Sequence, residues 1–103
     1  MTAQQQRPIK INLGAVKRLT KEKMMNAEEL KEAQANIDKS EFEPGSSEMK
    51  RLVNMRDEAE ASLKDVENRL GDFKTKLEAA VKEVEAQFPE DPLVVEAKAL
   101  LAQ

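Results

Sequence analysis

A repeat of apolar residues in sevens along residues 49–87 limits most strongly what this chain can fold into. Ten of the twelve a and d positions of the repeat are apolar, and no proline interrupts it. Apolar side chains sustained at this spacing predict one long helix, over about residues 47–87, that packs along another helix as in a coiled coil. The a and d residues are Met49, Leu52, Arg56, Ala59, Leu63, Val66, Leu70, Phe73, Leu77, Ala80, Val84 and Gln87.

A second helix is predicted over about residues 12–40, where the apolar stripe is less regular. Its start stays open, because either Asn12 as the N-cap or Pro8 as the first helical residue would begin it. Several stripe positions are polar. The stripe consists of Leu13, Val16, Thr20, Lys23, Ala27, Leu30, Gln34 and Ile37, and Leu19, Met24 and Ala33 flank it.

Two breaks divide the helical pattern and set the expected architecture. Pro44 and Gly45 indicate a turn between the first two helices, and a connection this short makes them antiparallel neighbours. In the second break, Asp91 is expected to cap a short third helix over about residues 92–102. The sequence therefore predicts an all-α fold, an elongated antiparallel three-helix bundle with coiled-coil-like packing. We expect one domain over residues 1–103, with residues 1–7 disordered.

The composition argues against an enzyme. The chain has no cysteine and no histidine, so thiolate chemistry, the commonest general base and the commonest metal ligand are all missing. No phosphate-binding loop or nucleophile elbow is present, and the acidic pairs fall where solvated helix faces place them. We expect no catalytic, cofactor-binding or metal-binding residues and no membrane span. The first residues lack the apolar core of a signal peptide, which favours a cytoplasmic protein.

Residues 7–23 concentrate positive charge in a chain whose overall net charge is −3. This segment carries six cations and one anion. A solvated helix face with long cationic stems over a thin core would explain it, and so would a strip that attracts an acidic protein partner. Nucleic acid fits poorly, because the rest of the chain is acidic and no aromatic residue interleaves the cations.

Eleven residues at fixed spacing characterise the segment over residues 9–23: Ile9, Lys10, Ile11, Gly14, Val16, Lys17, Arg18, Leu19, Lys21, Glu22 and Lys23. This pattern resembles the opening of the tubulin-binding cofactor A family of tubulin-folding chaperones. The later stretch NRLGDFKTKLEAA also looks like the second helix of that family, so the resemblance covers about residues 7–87. One difference is Asn26, where the family pattern leads us to expect an aromatic residue.

The resemblance implies a chaperone that binds a quasi-native β-tubulin monomer on the route to the α/β heterodimer, without ATP or another cofactor. It implies β-tubulin as partner, with other tubulin-folding cofactors as further candidates, in the cytoplasm and at the cytoskeleton. Because tubulin is acidic, the cationic segment becomes the expected binding surface. The residues expected to bind β-tubulin are Lys17, Arg18, Lys21, Glu22 and Lys23, of which Lys23 also falls at a stripe position and so has a partly structural role.

Two other interpretations fit the same residues. The regular repeat of residues 49–84 would also suit a structural or adapter coiled coil that acts by homodimerisation, so the protein is expected to be either a monomer or a homodimer. A prefoldin-like subunit would need strands beside its helices, and only residues 9–13 alternate in that way.

Val53 and Met55 lie outside the repeat, and either the 40–47 loop or a partner would cover them.

Overall fold

A computed structural model describes all 103 residues and contains three α-helices and no strand, which confirms the all-α prediction. Helix α1 spans Ala3–Lys39, α2 spans Ser47–Val84 and α3 spans Pro92–Leu101. Helix α2 ends three residues earlier than predicted, and α3 lies within one residue of its predicted end.

Helix α1 begins at Ala3, so the predicted start near residue 12 is wrong. The backbone N–H of Gln5 donates to Thr2 Oγ1 (3.2 Å), and the Thr2 N–H donates to Gln5 Oε1 (2.9 Å). This reciprocal pair is a capping box, and it satisfies two N–H groups at the helix start. Pro8 lies inside the helix, and residues 3–7, where disorder was predicted, are helical. Asn12 is no N-cap, because its side-chain amide donates to the Pro8 carbonyl instead (2.8 Å).

The structure contains two compact units, and the prediction of a single domain stays a prediction. The first unit combines residues 1–19 with residues 69–103. It holds every buried apolar side chain except Val66. Its core is therefore built by all three helices. The core residues are Ile9, Leu13, Ala15, Val16 and Leu19 of α1, Leu70, Leu77, Val81 and Val84 of α2, and Val94 and Ala97 of α3.

Helix α3 is fixed in the first unit by a cap, by burial and by ion pairs. Asp91 caps it as predicted, because its Oδ1 accepts from the Leu93 N–H at 2.9 Å. Its two ion pairs join Lys17 to Glu96 and Lys98 to Glu85. Both pairs are largely exposed and contribute about 1 kcal/mol or less each, so the burial of α3's apolar face dominates its attachment.

The second unit, residues 20–68, is a hairpin of the remaining parts of α1 and α2. Gly45 has a φ of +85°, which confirms the predicted turn and favours glycine there. Ser46 follows, and its Oγ accepts from the Met49 N–H at 3.2 Å, so Ser46 caps α2. Val66 is the one buried apolar residue of this unit. The hairpin therefore has a thin core made of half-buried side chains.

The predicted apolar repeat of α2 is confirmed from Met49 to Val84, where every a and d residue is buried or half-buried. Gln87 lies beyond the helix and is exposed. In α1 the predicted stripe is wrong around its middle, because Lys23, Met24 and Ala27 are exposed while Asn26 is half-buried. The stripe positions that follow are half-buried, as predicted; they are Leu30, Gln34 and Ile37.

Candidate functional site

The five residues predicted to bind a partner, four cations and Glu22, all lie on α1, and all are exposed. A helix has 3.6 residues per turn, so Lys17 and Lys21 lie one turn apart, as do Arg18 and Glu22. Lys17 and Arg18 belong to the first unit, and the other three belong to the second. The five predicted residues are therefore divided between the two units.

Lys17 differs from the other cations because it already has a partner within the chain. Its ammonium group donates to the carboxylate of Glu96 in α3. Lys17 therefore helps to hold α3, which the sequence alone did not indicate. Its role toward a partner protein stays a prediction.

Arg18, Lys21 and Lys23 make no ion pair in the structure, and neither does Glu22. The exposure of Lys23 argues against the partly structural role expected for it. The guanidinium group of Arg18 and the ammonium groups of Lys21 and Lys23 face water without a partner. They are therefore available to bind an acidic surface. The electrostatic attraction of such groups falls as salt concentration rises.

Met24 and Met25 follow this cationic sequence directly, and sequence reasoning missed them as surface residues. Their exposed fractions are 67% and 62%, the highest among the large apolar residues of the chain. Met24 was expected beside the apolar stripe, and Met25 had no assigned role. The available signal was two adjacent apolar residues between charged runs, in a part of α1 where the stripe is irregular.

The remaining surface offers shallow grooves. One groove, with a volume of about 400 Å³, lies in the hairpin of the second unit, between Ala33 of α1 and Ala59 of α2. Met55 lines it and is 50% exposed, while Val53 is half-buried.

No acidic side chains come together in a group that could hold a metal ion. None of the three helices has a stretch that is both long and apolar enough to cross a membrane.

Comparison with known protein families identifies the family of the chain. The family model described as tubulin binding cofactor A matches residues 4–101. The chain belongs to the tubulin binding cofactor A family. The match includes residues 88–101, so the second break and α3 also belong to the family pattern, beyond the resemblance noted over residues 7–87. No match was found among curated proteins or among solved structures.

Membership of the tubulin binding cofactor A family gives the chain a tubulin-binding role of the chaperone type. Tubulin is therefore the binding partner that the family implies. The exposed, unpaired cations of α1 are the part of the surface whose charge suits an acidic partner.

Proposed function

We propose that this protein binds and holds a quasi-native β-tubulin monomer on the route to the α/β-tubulin heterodimer, without ATP. The match of nearly the whole chain to the tubulin binding cofactor A family carries this proposal. The sequence supports it, because no nucleotide-binding motif is present. The protein then acts by binding alone, as a reservoir, and it is not an enzyme.

The proposed β-tubulin surface lies along α1 and consists of Lys17, Arg18, Lys21, Glu22 and Lys23. Exposed cations without partners accelerate association with an acidic protein and orient it on encounter. Glu22 lies among them and would disfavour a partner whose acidic groups meet that position. In the proposal Lys17 contributes least, because binding would compete with its ion pair to Glu96.

The proposed setting is the cytoplasm, close to the cytoskeleton, where newly made tubulin is assembled. Other tubulin-folding cofactors are proposed as further partners, since a held monomer has to be passed on to reach the heterodimer. No cofactor, nucleic acid or membrane takes part in the proposed action.

The alternative, an adapter that homodimerises through α2, has less support. It rests on an apolar repeat that would need to face a second copy. Every a and d residue from Met49 to Val84 is already buried or half-buried within the single chain. The repeat therefore has little apolar surface left to offer a second copy.

The holding activity can be tested by following β-tubulin monomer over time. Monomer incubated without nucleotide is expected to remain soluble and competent to form heterodimer when this protein is present in equimolar amount. Without the protein, or with an unrelated helical protein of similar charge, it is expected to aggregate. Equal loss of competent β-tubulin with and without this protein would contradict the proposal.

A further inference from the structure

Residues 21–29 of α1 form the most exposed helical stretch of the chain that contains large apolar side chains. Within this stretch only Asn26 is half-buried, and the other side chains are exposed. The preceding part of α1 contrasts with it, because Ile9, Leu13 and Val16 are each at most 5% exposed. An amphipathic helix normally covers its apolar residues, so exposed apolar residues at this place need another explanation.

Met24 and Met25 are the large apolar residues of this stretch. Single exposed apolar residues are ordinary on protein surfaces, and Ile11 and Val95 are of that kind. Two adjacent methionines, 67% and 62% exposed, instead make a continuous apolar patch. Together with Ala27, Glu28 and Glu29 they line a shallow depression of about 580 Å³.

The patch has a defined polarity along α1. Lys21, Met24, Met25 and Glu28 follow the spacing i, i+3, i+4 and i+7, which places them on one face of a helix. The ammonium of Lys21 lies at one end of this face and the carboxylate of Glu28 lies at the other. Neither group makes an ion pair in the structure.

We propose that this methionine face, defined as Lys21, Met24, Met25 and Glu28, is the apolar anchor of the client contact. It fits a client surface with an apolar centre, an acidic group at the edge that meets Lys21 and a basic group at the edge that meets Glu28. The inference rests on the proposed function and adds to it, because the cationic residues alone give attraction and orientation. Desolvated apolar contacts at the centre of an interface give most of the affinity.

The side-chain chemistry of methionine suits such a client. Methionine is unbranched, flexible and polarizable, so it adapts to apolar surfaces of differing shape. A monomer that has not reached its final assembled state offers apolar surface that is not yet in its final form. Proteins that bind several different partners also use flexible methionine-rich surfaces that repack against each of them.

The test compares Met24→Ala/Met25→Ala with Met24→Leu/Met25→Leu and with Met55→Ala in the full-length protein. Met55 is a matched control, because it is 50% exposed but lies on α2 outside the methionine face. Affinity for β-tubulin monomer is measured at several salt concentrations, and circular dichroism checks that each variant is folded. The alanine pair is expected to weaken binding by about tenfold or more, with an unchanged salt dependence. The leucine pair and Met55→Ala are expected to bind within about threefold of the unchanged protein.

The charged ends of the face give a second arm. Lys21→Glu and Glu28→Lys each reverse one end, and both are expected to weaken binding if the client surface has the stated polarity. Stronger binding of Glu28→Lys would overturn that polarity. Unchanged binding by the folded alanine pair, while the unchanged protein binds, would overturn the methionine anchor alone. No binding by the unchanged protein would overturn the proposed function and this inference with it.

Discussion

Replacing Leu77 with alanine is expected to lower the free energy of unfolding by about 2–5 kcal/mol. Leu77 is 0% exposed and occupies an a position in the first unit, where all three helices contribute to the core. Removing its side chain loses buried apolar contacts and leaves a cavity that the close-packed neighbours fill only in part. A domain of this size has about 5–15 kcal/mol of stability in total, so the loss is a large fraction of it.

Leu63→Ala provides the control for this substitution. Leu63 holds the same heptad position two repeats earlier, but it is half-buried and lies in the second unit. It is expected to cost about half as much as Leu77→Ala or less, because part of its side chain already faces water. Urea denaturation followed by far-ultraviolet circular dichroism measures both losses. Equal losses at the two positions would contradict the division of the apolar core described here.

Reversing the three unpaired cations of the proposed β-tubulin surface, as Arg18→Glu/Lys21→Glu/Lys23→Glu, is expected to weaken β-tubulin binding by about 100-fold at low salt. Each substitution removes an attraction to an acidic surface and replaces it with a repulsion. The difference from the unchanged protein is expected to shrink as salt rises, because screening acts on both terms. Lys17 is left in place, since Lys17→Glu would also place two carboxylates together at Glu96 and disturb α3.

The matched control is Lys50→Glu/Arg51→Glu/Lys64→Glu on α2. It exchanges the same residue types and changes the net charge equally, and all three positions are exposed. It is expected to weaken binding by threefold or less at the same salt concentration, through the change in overall charge. Binding titrations across salt separate the two effects. An equal loss in both triple variants would mean that overall charge matters and that the α1 surface does not.

The sequence could predict the parts of this fold that rest on local pattern. The repeat of α2 could be predicted because all of its residues, from Met49 to Val84, lie in one helix. The turn at Gly45 and the cap at Asp91 were readable because each needs only one or two residue types. The capping box of Thr2 and Gln5 also needs only local residue types, but Pro8 and Asn12 favour a later helix start in the sequence.

The candidate site depended on features that local pattern does not encode. A methionine on a helix is apolar whether or not another element covers it, so the exposure of Met24 and Met25 required the folded chain. The pairing of Lys17 with Glu96 joins residues 79 positions apart in the sequence. The family resemblance was recognisable in residues 9–23. It could not show that Lys17 pairs with Glu96 of α3 while the other cations of the proposed surface face water.

We propose that this protein holds one β-tubulin monomer without nucleotide, and gel filtration with light scattering tests this stoichiometry. The purified protein is mixed with β-tubulin monomer at micromolar concentrations. We expect one complex that is heavier than β-tubulin monomer by a single 11.6 kDa chain and that dissociates as salt rises. The same run gives the mass of the free protein and so its oligomeric state. Separate elution of the two folded proteins at low salt would show that the protein does not hold β-tubulin monomer.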